Sequence, residues 1–80
     1  MVEKLMRYFE ALQSKRQSMI ITLEYNKTFG WVLEIWHRDS NTKIFYSDNC
    51  SLNLTCAMGY VALEDWAIEF DDLRDIGSNM

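Results

Sequence analysis

The sequence predicts an α+β domain of order α-β-β-β-α, a three-stranded antiparallel meander with two helices on one face. Three observations predict it. Apolar residues recur at helical spacing at both ends of the chain, over about residues 2–15 and again from about Ser51. Between these ends, three runs alternate apolar and polar residues with the period of a strand. The runs are joined by turns too short to hold a crossover helix, so the strands must run antiparallel.

The first helix rests on "MVEKLMRYFEALQSKR", where Val2, Leu5, Phe9 and Leu12 fall on one side with Met6 and Tyr8 beside them. It is expected to end between Ser14 and Ser18. The first strand is "MIITLEYN", with Met19, Ile21, Leu23 and Tyr25 on one face. "KTFG" turns the chain, and Gly30 suits a positive-φ position. The second strand covers residues 31–38, "DSNT" makes the next turn, and "KIFYSD" is the third strand. The second helix then presents Leu52, Cys56, Gly59, Tyr60, Leu63, Trp66, Ala67 and Phe70 as one wide apolar stripe. Residues 1–76 make a single domain, and 77–80 are expected to be a flexible tail.

Strand parity poses a question at "FGWVLEIWHRD". Trp31, Leu33, Ile35 and His37 share one face, which leaves Val32, Glu34, Trp36 and Arg38 on the other. If both helices cover the first face, the second is open and Trp36 lies on it. A five-residue turn at 26–30 sets Tyr25 against Trp31 and Ile20 against Trp36. A four-residue turn at 39–42 sets Arg38 against Lys43 and Trp36 against Phe45. The open face then carries Ile20, Trp36 and Phe45 in a row with Val32 nearby, an interaction patch. A one-residue slip of the third strand would turn Phe45 inward.

Eighty residues make one small domain whose core is marginal by itself, so a homodimer or partner contact through the open sheet face is expected. Apolar content of 49% excludes a disordered chain. Glu3, Lys4 and Arg7 interrupt the first apolar residues, so no signal peptide is expected, and no apolar run is long enough to span a membrane. Cys50 and Cys56 then read as reduced thiols in a cytoplasm, and the N-x-[ST] triplets at Asn26, Asn49 and Asn53 as chance. The net charge of −4 is polarised. Residues 64–75, "EDWAIEFDDLRD", hold six carboxylates against Arg74, while Lys4, Arg7, Lys15 and Arg16 make the first segment basic.

No motif names a reaction, and no cofactor is expected. His37 stands at the rim of the core face without a designated hydrogen-bonding partner, so it is not read as a catalytic base. Cys56 falls on the buried stripe, and Cys50 has no base near it in sequence. The two cysteines are six positions apart and one histidine cannot complete a tetrahedral site, so no metal is expected. Gly30, Gly59 and Gly77 are too scattered for a phosphate loop. The α-β-β-β-α order is shared with double-stranded-RNA-binding domains, but the second helix is acidic where those domains carry lysines. Direct nucleic-acid binding is therefore not expected. The acids remain. Carboxylates near a helix C-terminus are mildly destabilising, by up to about 1 kcal/mol each. Glu69, Asp71, Asp72 and Asp75 occupy positions where a sequence shaped for stability alone would place lysine.

In length, element order and charge, the chain resembles small early proteins of bacteriophages and mobile elements, in particular acidic α-β-β-β-α anti-CRISPR inhibitors. That resemblance implies a cytoplasmic protein of a bacterial host cell, an inhibitor or adaptor that meets a basic protein surface as a DNA mimic. It implies Glu64, Asp65, Glu69, Asp71, Asp72 and Asp75 as phosphate mimics. The segment "CAMGYVALEDW" is similar to the helix that follows the sheet in HicB-like antitoxins, which implies instead a homodimeric regulatory protein. The proline- and glycine-rich segment of that family is missing here. Both resemblances imply a binder.

Overall fold

A helix, α1, spans Val2–Gln13, followed by the strands β1 (Met19–Asn26), β2 (Gly30–His37) and β3 (Thr42–Asn49) and a long helix, α2 (Leu52–Ser78). This computed structural model describes residues 1–13 and 18–78, with side chains as far as residue 69. The strands form one antiparallel sheet in the order β1-β2-β3. The α+β layout is the one the sequence predicts. The expected end of α1 beyond Gln13 lies outside the described residues, as do 79–80 of the expected tail. Gly77 and Ser78, also assigned to that tail, continue α2.

The core lies between the sheet and the two helices. Leu5, Phe9 and Leu12 bring in one face of α1 at i, i+4 and i+7, and Met19, Leu33 and Ile35 rise from the sheet to meet them. From α2 come Cys56, Leu63 and Ala67, with Leu52, Tyr60 and Trp66 packed around them. Gly59 sets how closely α2 approaches β2. A Cβ there would stand 2.6 Å from Leu33 Cδ2, and Leu33 is fully buried. Thr55 is buried beside Cys56, which the apolar pattern does not announce.

Local chemistry fixes the turns. Asn26 Oδ1 accepts from the amides of Thr28 (2.7 Å) and Phe29 (3.4 Å), tightening the first hairpin. Gly30 has φ of 79°, and a Cβ there would collide with Asn49 O at 2.6 Å. At the start of α2, Ser51 Oγ accepts from the Leu54 amide (3.2 Å), an N-cap.

The β1–β2 register is the expected one, with Ile20 opposite Trp36 and Tyr25 opposite Trp31. The β2–β3 register is not. The second turn closes on His37 opposite Thr42, which puts Trp36 opposite Lys43, and a bulge between Ile35 and Trp36 then sets Ile35 opposite Phe45. Phe45 therefore faces the core, and the expected Ile20–Trp36–Phe45 row does not form. Strict alternation could bury only one of Ile44 and Phe45. The bulge lets both pack against the core, and the turn, four residues long as expected but one position earlier at 38–41, sets Arg38 against Asn41 in place of Lys43.

Candidate interaction surfaces

Three rows of side chains cross the open face of the sheet. Ile20, Trp36 and Lys43 form the first, Thr22, Glu34 and Tyr46 the second, and Glu24, Val32 and Asp48 the third. Trp36 points away from the helices, as parity predicts, with Ile20 beside it and Val32 two rows away. Its indole is committed within the face. Nε1 donates to Glu34 Oε1 (2.9 Å), and Lys43 Nζ lies 5.3 Å from the ring centre and 3.8 Å from the same Glu34 oxygen. Lys43 Nζ is also 5.3 Å from the Tyr46 ring, and the Tyr46 hydroxyl donates to Asp48 Oδ2 (3.4 Å). Partial burial, then Asp48, Glu34 and Glu24, hold the Tyr46 phenol above its ordinary range. Attention to aromatics alone misses this carboxylate grouping, although the parity of Glu24, Glu34 and Asp48 is legible in the sequence.

The outer side of α2 differs in kind. Leu54, Met58, Val61 and Ile68 are exposed, with Leu54 at 48% and Val61 at 54%. Their spacing of 4, 3 and 7 places them along one line of the helix, with Asp65 between Val61 and Ile68. Ala57, Met58, Val61, Ala62 and Asp65 line a shallow apolar depression there. The inner side of the same helix is buried, so α2 is apolar on two opposite sides. An expectation of one stripe per helix overlooks the second, though its a/d-like spacing can be read from the sequence.

Of the expected acidic residues, Asp65 and Glu69 are exposed and Glu64 is half-buried. The side chains of Asp71, Asp72 and Asp75 lie outside the described residues, within the helical backbone of α2. The described carboxylates thus continue the helix that carries the outer apolar line.

At the second turn the structure assembles a histidine, a serine and an aspartate that sequence spacing does not single out. His37, buried on the core face, has Nδ1 at 2.6 Å from Ser40 Oγ and Nε2 at 3.8 Å from Asp39 Oδ2. The Ser40 hydroxyl donates to Thr42 Oγ1 (2.8 Å), and the Thr42 hydroxyl donates to the Ser40 carbonyl (3.3 Å). His37 Nδ1 and the Ser40 hydroxyl thus share one hydrogen bond, whose direction follows the imidazole tautomer. Asp39 Oδ2 also accepts from the Ser18 amide (3.3 Å), so the group ties the turn to the start of β1. The imidazole lies 4.9 Å from the Trp66 ring, centre to centre. Cys56 is enclosed, and burial pushes its thiol up, away from the thiolate a nucleophile needs, with the amino terminus opposing weakly.

Among the described residues no three His, Cys, Asp or Glu side chains group to hold a metal ion, and no helix is long and apolar enough to cross a membrane. No protein-family model, curated protein or solved structure matches the chain.

Proposed function

We propose that this chain is a small acidic inhibitor or adaptor that binds another protein through the outer side of α2. One observation carries the reading: Leu54, Met58 and Val61 stand exposed in line on a helix that continues into Asp65 and Glu69. An apolar line leading into carboxylates suits a partner with an apolar groove bordered by basic residues. The apolar anchors would supply most of the affinity, and the acids would steer association. A basic border of this kind is found where a protein binds nucleic acid, which favours an inhibitor that occupies such a surface. The commitment of His37 to its turn and the enclosure of Cys56 support a binder over an enzyme.

The test is affinity capture at two salt concentrations with three baits: the native chain, Met58→Glu/Val61→Glu, and Asp65→Asn/Glu69→Gln. The proposal expects a captured protein that is lost with the first variant. With the second it should be weakened, more so at low salt. Equal capture by all three baits would end the proposal.

A further inference from the structure

The two edges of the sheet are not alike. Along β3, the bulge, Lys43 and Asp48 are devices that discourage pairing with another strand. Along β1 the register is unbroken for eight residues, with neither proline nor lysine. Its one charge, Glu24, lies on the open face.

Hydrogen-bond geometry shows what that edge offers. Ser18 O accepts from the Arg38 amide (2.8 Å), so in an antiparallel ladder Ile20, Thr22 and Glu24 also turn their backbone groups toward β2. Met19, Ile21, Leu23 and Tyr25 turn theirs outward. At Met19 both groups are taken by the Gln13 side chain, whose Nε2 donates to Met19 O (2.8 Å) and whose Oε1 accepts from Met19 N (3.2 Å). The outward groups of Ile21, Leu23 and Tyr25 have no such partner among the described residues. Their side chains point to the helix-covered side, yet cover runs out along the strand. Met19 is 5% exposed, Leu23 36% and Tyr25 63%. Unpaired backbone and uncovered apolar side chains thus fall on the same residues.

We infer that β1 pairs antiparallel with β1 of a second copy about a twofold axis at Leu23. The two three-stranded sheets would join into one of six strands, with all four helices on one side. The parity of a twofold perpendicular to the sheet keeps both core faces on that side. Leu23 then lies opposite Leu23 of the second copy and Ile21 opposite Tyr25, so each outward N–H and C=O of these residues meets its complement. A register centred on Thr22 would set Tyr25 against Met19, whose groups Gln13 already holds. Gln13 therefore fixes the register. On the open face Thr22 would meet Glu24, so no like charges oppose one another. A second copy fits this edge because the open triplet is self-complementary, with the β-branched Ile21 set against the aromatic Tyr25. The defended β3 edge stops growth at two copies. This inference concerns a different surface from α2 and does not depend on the proposed function.

The test combines sedimentation over a range of concentrations with amide exchange read by NMR. The inference expects a dimer in which the Ile21, Leu23 and Tyr25 amides are protected, their protection falling on dilution. Leu23→Lys and Tyr25→Lys, both at solvent-exposed positions, should give folded monomers, while Val61→Glu should leave the dimer intact. In a mixed-label dimer, an intermolecular Hα–Hα contact is expected between Thr22 and Glu24. A monomer at all concentrations would overturn the inference. So would a dimer that survives Leu23→Lys or whose contact runs between Thr22 and Thr22.

Discussion

The open face of the sheet and the outer side of α2 both show apolar side chains to solvent, but they differ in what those side chains already touch. On the sheet, Trp36 is hydrogen-bonded to Glu34 and roofed by Lys43, and Tyr46 shares that lysine and bonds Asp48. On α2, Met58 and Val61 line a shallow depression with Asp65 at its edge and Leu54 stands exposed a turn earlier, and among the described residues no hydrogen bond or cation–π contact ties these three apolar side chains. A half-buried tryptophan on the open face draws the eye first, yet a partner docking on it would have to displace contacts already made. The plainer aliphatic line has no such contact to displace among the described residues. Large side chains on a small domain are thus better judged by their existing contacts than by their type.

The contrast can be sharpened first on the helix itself. Gly59→Ala on the inner side should cost about 2 kcal/mol, because the added methyl meets the enclosed Leu33 and overpacking outweighs alanine's helical preference. Denaturant unfolding would measure it. A stability equal to that of the native chain would mean that α2 can shift away from β2 more easily than this packing implies.

Trp36→Ala comes next. It removes cross-strand packing with Ile20 and the cation–π contact with Lys43, for an expected loss of about 1 kcal/mol. The same melts should show Val61→Glu and Asp65→Asn changing stability by no more than about 0.5 kcal/mol each, since both positions are exposed. A larger loss at Val61 than at Trp36 would reverse the comparison.

The smallest effect is electrostatic. A spectrophotometric titration should show the Tyr46 phenol ionising above the ordinary tyrosine range, and Asp48→Asn should bring it down. The sign for stability follows from linkage. A raised folded-state pKa means that the folded chain holds this proton more tightly than the unfolded chain does. That contribution is complete below the unfolded tyrosine value of about 10 and is lost as pH rises through the folded value. A Tyr46 midpoint unmoved by Asp48→Asn would show that the carboxylates do not act on this face.

Much of this molecule is legible in its sequence. Period alone places both helices and all three strands, and parity alone places Trp36 on the open face, because both depend on residues close in the chain. The facing of Phe45 depends on a turn that falls one residue earlier than the sequence suggests and on a bulge whose benefit, burying Ile44 and Phe45 together, arises only once α2 is in place. Likewise, the His37–Ser40–Thr42 chain needs the turn to be closed before its members meet. The outer line on α2 is different again. Its spacing is visible in the sequence, but it becomes informative only when the structure shows that the opposite side of the helix is already occupied.

The most direct measurement places a photo-crosslinking amino acid at Val61 in one variant and at Tyr46 in another, then compares their products by mass in the cells that naturally make the protein. The outer side of α2 as contact surface predicts a crosslink from position 61 to a protein other than this chain, and none from position 46. A heterologous crosslink from position 46 with none from position 61 would contradict it.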